Sequence, residues 1–80
     1  MNNEVKSIAM REFIKKYGKP LCQKAISKTI AIGMPKELVR IAWGSPDRIN
    51  DASYGDQWVY KFSDGTKYVY IKHGKVTGWN

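Results

Sequence analysis

Apolar residues recur with a helical period at the start of the chain. Four of them fall at i, i+3, i+4 and i+7: Met10, Phe13, Ile14 and Tyr17. This spacing places them on one face of an α-helix, and Gly18 is expected to end that helix. Pro20 suits the first position of a second helix, which we expect to run toward Lys28.

A third helix is predicted after Gly33. Pro35 fits its first turn, and the apolar residues Leu38, Ile41 and Ala42 share one face. Gly44 followed by Pro46 is a strong signal for the end of a helix, because glycine adopts the left-handed cap and proline cannot continue the helix. The next segment, 47–55, is rich in turn-forming residues and is expected to be a loop.

The period changes to that of β-strands in the last third of the chain. Aromatic and β-branched residues dominate 57–62 and 67–71, and the Asp64-Gly65 pair between them is a hairpin signal. A turn at His73-Gly74 leads to a third strand over 75–79. The pattern therefore predicts an α+β fold in which two or three N-terminal helices pack on a three-stranded antiparallel meander.

Length and charge restrict the class of protein. The 80 residues fit a single domain, with a basic helical segment over 1–28 and a core over 30–80. The chain holds 14 Lys+Arg and 7 Asp+Glu, which gives a net charge of +7. No apolar run approaches the ~18 residues of a membrane span. The lone Cys22 and the absence of an apolar secretory segment at the start favour a reducing, cytoplasmic location.

Catalytic chemistry has little support in the sequence. The chain has one His and one Cys, its aspartates are scattered, and it has no glycine-rich phosphate loop. We therefore expect no enzyme, no cofactor and no metal centre. A weak calcium site in the acidic segment 47–56 stays open as an alternative.

Several spaced motifs are similar to those of the SmpA/OmlA-type domains. They are Gly33-Met34 with Val39 and Gly44-Ser45-Pro46, then the strand residues 57–60, and then 68–71 followed by Gly74-Lys75-Val76. The resemblance covers residues 30–80 and implies an α-α-β-β-β fold, which is also that of the repeats of β-lactamase-inhibitor-like proteins. It further implies a protein that binds other proteins and is not an enzyme; some members are outer-membrane-assembly lipoproteins.

Large aromatic residues of the predicted strands are the first candidates for a binding surface. They are Trp58, Tyr60, Tyr68, Tyr70 and Trp79. Tyr68 and Tyr70 either shield each other on the outer face of the sheet or form an exposed patch that binds a partner. Trp79 either fills the core or belongs to the same patch. The patch predicts a non-enzymatic module that binds another protein, an acidic one because the lysines would attract it.

Basic residues of the N-terminal segment give the alternative function. They are Arg11, Lys15, Lys16, Lys19, Lys24 and Lys28. Such residues are either a solvated helix face or contacts to the phosphates of a nucleic acid. A homodimer is a further option, because a chain of this size builds only a small core.

Overall fold

The computed structural model describes the backbone of residues 3–80 and the side chains of residues 10–80. Over these residues it contains three helices and four strands. The helices are α1 (Asn3–Tyr17), α2 (Lys19–Ile26) and α3 (Lys36–Trp43). The strands are β1 (Arg48–Ala52), β2 (Gly55–Phe62), β3 (Gly65–Lys72) and β4 (Lys75–Trp79). The predicted α+β class is confirmed.

The prediction of three strands is wrong, because segment 48–52 forms the additional strand β1. The four strands form one antiparallel sheet in the order β1-β2-β3-β4. Ala52 lies opposite Gly55, and Ile49 lies opposite Trp58. The composition of β1 is poor in strand-forming residues, so its pairing with β2 determines its conformation. The segment expected to be a loop is therefore mostly one arm of a hairpin.

The helices cover one face of the sheet. Leu38, Val39 and Ala42 of α3 are buried together with Cys22 and Ala25 of α2. From the sheet, the same core includes Trp58, Tyr60, Val69, Ile71 and Val76. The apolar stripe predicted for α1 packs against the outside of this core, where its residues are partly buried. The molecule therefore has two layers, with the core between the helices and one sheet face.

The connection between α2 and α3 protects the outer edge of β4. The Gly33 amide donates to the Val76 carbonyl at 2.8 Å, and the Val76 amide donates to the Met34 carbonyl at 2.9 Å. The Lys36 amide donates to the Gly74 carbonyl at 2.8 Å. These bonds satisfy backbone groups that an edge strand would otherwise expose. Within residues 3–80, no helix is long and apolar enough to cross a membrane.

Candidate binding surface on the sheet

The pairing register assigns the large strand residues to two faces. Val69 lies opposite Trp58, so both belong to the face that the helices cover. Tyr68 lies opposite Val59, and Tyr70 lies opposite Gln57. Because successive residues of a strand point to opposite faces, Tyr68 and Tyr70 lie on the face away from the helices. We call this the open face; its centre consists of Tyr68, Tyr70, Val59, Gln57 and Asn50.

Two of the predicted anchors, Trp58 and Tyr60, belong to the core. Each is only 2% exposed, so neither is available to a partner, and their assignment to a binding surface is wrong. The physical reason is that Trp58 and Tyr60 share one face of β2, and this is the face that packs against the helices. The Tyr60 hydroxyl donates to the Gly44 carbonyl at 2.9 Å, which satisfies its buried polar group.

Trp79 is separate from the open face. It pairs with Val69, on the helix-covered side of the sheet, and is 43% exposed at the end of β4. The expectation that it shares a patch with the tyrosines is therefore wrong. Of the five aromatic candidates, the register leaves Tyr68 and Tyr70 together.

Asn80 forms hydrogen bonds to both tyrosines, to the side chain of Tyr70 and to the backbone of Tyr68. Both side chains are half-buried. The Asn80 side-chain amide donates to the Tyr70 hydroxyl at 3.2 Å. The Asn80 backbone amide donates to the Tyr68 carbonyl at 2.9 Å. Tyr68 and Tyr70 are two residues apart on one strand, so their Cα atoms are separated by about 6.6 Å. The two rings therefore lie next to each other at the middle of the open face, and the Tyr70 hydroxyl is bonded to Asn80.

The rest of the centre is apolar next to Tyr68 and polar next to Tyr70. Val59 is buried but lies outside the helix-covered core; its cross-strand neighbours are Arg48 and Tyr68. The Asn50 side-chain amide donates to the Gln57 side-chain oxygen at 2.9 Å. A depression of about 220 Å³ adjoins these amides and Tyr70. Each amide also has further donor and acceptor atoms, so a ligand could form hydrogen bonds there.

Four cationic side chains surround the tyrosines, and all are exposed: Arg48, Lys61, Lys72 and Lys75. Arg48 lies opposite Val59, and Lys61 lies opposite Thr66. Lys72 lies opposite Lys75 in the next hairpin. These four residues are spread between positions 48 and 75, so no local motif in the sequence marks them as one group. The signal that the sequence offers is alternation within each strand, which puts Lys61 on the same face as Val59 and Lys72 on the same face as Tyr70.

The carboxylates of the four strands lie on the opposite face. They are Asp51 and Asp56, which pair with each other across β1 and β2. Asp56 lies two residues before Trp58 on β2 and therefore on the same, helix-covered face. Desolvation raises the pKa of Asp56, and the hydrogen bond and negative charge of Asp51 raise it further, whereas Lys36 lowers it. The strand residues of the open face thus carry positive charge without a strand carboxylate to offset it.

The basic residues predicted on the N-terminal helices form a separate surface. All six are exposed: Arg11, Lys15, Lys16, Lys19, Lys24 and Lys28. Lys15 lies 3.8 Å from Glu12, and the Lys16 ammonium lies 5.3 Å from the centre of the Tyr17 ring. Five of them lie on α1 or α2 in the helix layer and therefore on the other side of the sheet from Tyr68 and Tyr70, whereas Lys28 follows the end of α2.

The residues weighed for catalysis do not come together. Cys22 is buried in α2, and this burial raises the pKa of its thiol, which disfavours the reactive thiolate. His73 is exposed at the turn between β3 and β4. Among the described residues, no three His, Cys, Asp or Glu side chains are arranged to hold a metal ion.

Comparison with known proteins gives no family for the chain. No protein-family model matches it, and neither a curated protein nor a solved structure is significantly similar to it. The resemblance to SmpA/OmlA-type domains stays a prediction. The function is therefore argued from the open face itself.

Proposed function

We propose that the protein is a non-enzymatic binding module and that the open face is its recognition surface for an anionic partner. The observation that supports this most directly is the arrangement of Tyr68 and Tyr70 within four exposed cations, while both strand carboxylates lie on the other face. An acidic protein, as expected from the sequence, carries the negative charge that this surface would attract, and so does a nucleic acid.

The two kinds of side chain have different roles in this proposal. The cations raise the rate of encounter with a negatively charged partner and orient it, and salt weakens their effect. The tyrosine rings supply contact area at a small cost in conformational entropy, because each side chain has few rotatable bonds. The hydrogen bond from Asn80 restricts the Tyr70 ring, which lowers that cost further at this position.

A matched pair of charge reversals tests the location of the site. Lys61→Glu with Lys72→Glu changes the open face, and Lys15→Glu with Lys16→Glu changes α1; the net charge changes equally in both. The probes are a labelled oligonucleotide of about 12 nucleotides and an acidic peptide of similar length. We expect the open-face pair to weaken binding of at least one probe by more than tenfold, and the helix pair to change it less than about threefold. Equal losses from both pairs would contradict the proposal.

The N-terminal helices are the second candidate, as a nucleic-acid-binding surface. The exposure of all six of their predicted cations favours it. In that case the Lys15 and Lys16 reversals abolish oligonucleotide binding, and the Lys61 and Lys72 reversals do not. The two pairs of lysine reversals therefore distinguish binding at the open face from binding at the helices.

A further inference from the structure

We infer that the anionic partner is a single-stranded nucleic acid, with two consecutive bases stacked on Tyr68 and Tyr70. This inference rests on the proposed function, because it needs the open face to be the binding surface. It is distinct from the helix-based alternative, which uses other residues on the other layer.

The spacing of the rings favours an unpaired strand. The Cα atoms of Tyr68 and Tyr70 are about 6.6 Å apart along β3, which is about twice the 3.4 Å between successive stacked nucleotides of a duplex strand. Neighbouring bases can cover both rings only if they separate from each other. A single strand can open in this way and stack its bases on aromatic side chains, whereas a duplex keeps its bases stacked and paired.

The remaining apolar area favours a nucleic acid over a protein. A stable protein interface covers about 800 Å² on each partner and has an apolar, fully buried centre. Trp58 and Tyr60 are in the core, and Val59 is only 5% exposed, so they add little to such a centre. At its centre the open face offers the rings of Tyr68 and Tyr70 with cations around them, and the exposed Tyr54 lines the depression beside Tyr70. That combination is the one that binds single strands, through stacking and phosphate contacts.

The cations lie where a strand along β3 would place its phosphates. The outward residues of β3 are Thr66, Tyr68, Tyr70 and Lys72, and Lys61 is the cross-strand neighbour of Thr66. Positive charge therefore stands at both ends of the tyrosine pair, over a row of about 20 Å. A row of this length fits three or four extended nucleotides. Beside Tyr70, the Asn50 and Gln57 amides can form hydrogen bonds to the edge of a base.

The test is a fluorescence-anisotropy titration of the full chain with four labelled probes. They are single-stranded DNA and RNA of about 12 nucleotides, the corresponding duplex, and an acidic peptide of similar length. We expect a single strand to bind at least tenfold more tightly than the duplex or the peptide. With about three phosphates contacted, affinity should fall about 20-fold between about 50 and 200 mM salt.

Three double variants of the tyrosines separate stacking from other contacts. Tyr68→Phe with Tyr70→Phe keeps both rings and should keep the affinity within about threefold. Tyr68→Leu with Tyr70→Leu keeps apolar side chains without the rings, and the corresponding Ser pair removes both. The Leu and Ser pairs should each lose about 100-fold, because each stacked base contributes about tenfold or more. Thermal unfolding identifies any variant that fails to fold, and the Lys61 and Lys72 reversals then provide the test.

Each contrary result contradicts a defined part of the argument. If the acidic peptide binds at the open face and the single strands do not, the inference fails and the proposed function stands. If the duplex binds as tightly as the single strands, or the Leu pair matches the Phe pair, stacking is not the cause and the inference fails. If no probe binds more tightly than about 10⁻⁴ M, the proposed function fails with it.

Discussion

Replacing Tyr60 by Phe removes a single oxygen atom from the core and tests whether this residue stabilises the fold or binds a partner. The Tyr60 hydroxyl donates to the Gly44 carbonyl at 2.9 Å, directly after α3. The ring meets Trp43 edge-on at 5.4 Å and stacks on Phe62 at 5.9 Å. Phe keeps these ring contacts, so the variant isolates the hydrogen bond.

We expect the variant to lower the free energy of unfolding by about 1–2 kcal/mol at pH 7. A net hydrogen bond contributes about 0.5–1.5 kcal/mol, and the Gly44 carbonyl, which is half-buried, loses its partner. For a chain of this size, 1 kcal/mol corresponds to about 4–8 °C in Tm. The loss is large against a total stability of about 4–12 kcal/mol.

Alkaline pH should remove the stability advantage of the wild type over the variant. Burial raises the pKa of Tyr60 from 10.0 to about 12, with Arg40 lowering it and Asp47 raising it by smaller amounts. The unfolded chain therefore releases this proton at lower pH than the folded chain. The stabilisation that Tyr60 provides is complete below pH 10 and is lost as the pH rises toward 12. A two-unit shift corresponds to about 2–3 kcal/mol, so the advantage of the wild type should disappear in this range.

Urea unfolding followed by tryptophan fluorescence measures both effects, at pH 7 and at several values between 9 and 11. Oligonucleotide affinity serves as the second measurement, and it should not change because Tyr60 lies beneath the helices. An unchanged unfolding midpoint would refute the hydrogen-bond argument. A loss of affinity at unchanged stability would refute the assignment of Tyr60 to the core.

Three further predictions concern other parts of the fold. The Cys22 thiol, which is buried and has a raised pKa, should react with a disulfide reagent only as fast as the protein opens; rapid labelling of the native protein would contradict this. Asp56→Asn should raise the unfolding midpoint at pH 7, because the folded state raises the pKa of this carboxyl above 3.8 and its ionisation therefore costs stability. This gain should vanish as the pH falls below 3.8, and a variant less stable than the wild type at pH 7 would contradict the reasoning. Gly55→Ala should destabilise the protein more than Gly65→Ala, as measured by chemical unfolding. The two glycines have similar φ angles, 138° and 140°, but only at Gly55 would an added Cβ lie 2.6 Å from the Ile71 carbonyl oxygen. Equal losses of stability would contradict this steric argument.

Signals within a few residues predicted the helices well. The helix expected to end before Gly44 ends at Trp43, and Gly44 adopts a φ of 84° while its amide donates to the Arg40 carbonyl at 2.8 Å. The apolar stripe that ends at Tyr17 lies on α1 as expected, and Gly18 follows it. These features depend on the preferences of residues next to each other in the chain, which a sequence shows directly.

Strand β1 could not be predicted in the same way, because its stability comes from residues that are distant in the chain. Arg48 lies opposite Val59, and Ile49 lies opposite Trp58, eleven and nine positions away in the numbering. Asn50 and Asp51 are poor strand formers on their own. Only the partner strand and its aromatic residues make the extended conformation favourable.

The two faces of the sheet were the decisive unknown for the site. Alternation shows which residues of one strand share a face, but not which face the helices cover. The charged residues of β2 and β3 do not supply the missing information, because each face of each strand carries one of them. In β2 the face of Val59 carries Lys61 and the other face carries Asp56, and in β3 the face of Tyr68 and Tyr70 carries Lys72 and the other face carries Lys67.

This division of aromatic residues follows from the size of the chain. A protein of 80 residues buries a smaller share of its surface than a larger domain does, so its core depends on a few large side chains. Trp58 lies there, as does Tyr60, whose hydroxyl finds the Gly44 carbonyl. On the open face, the Tyr70 hydroxyl accepts a hydrogen bond from the Asn80 side-chain amide. In the proposed binding at that face, ring faces and charge contribute more than apolar burial, and the affinity should fall steeply with salt.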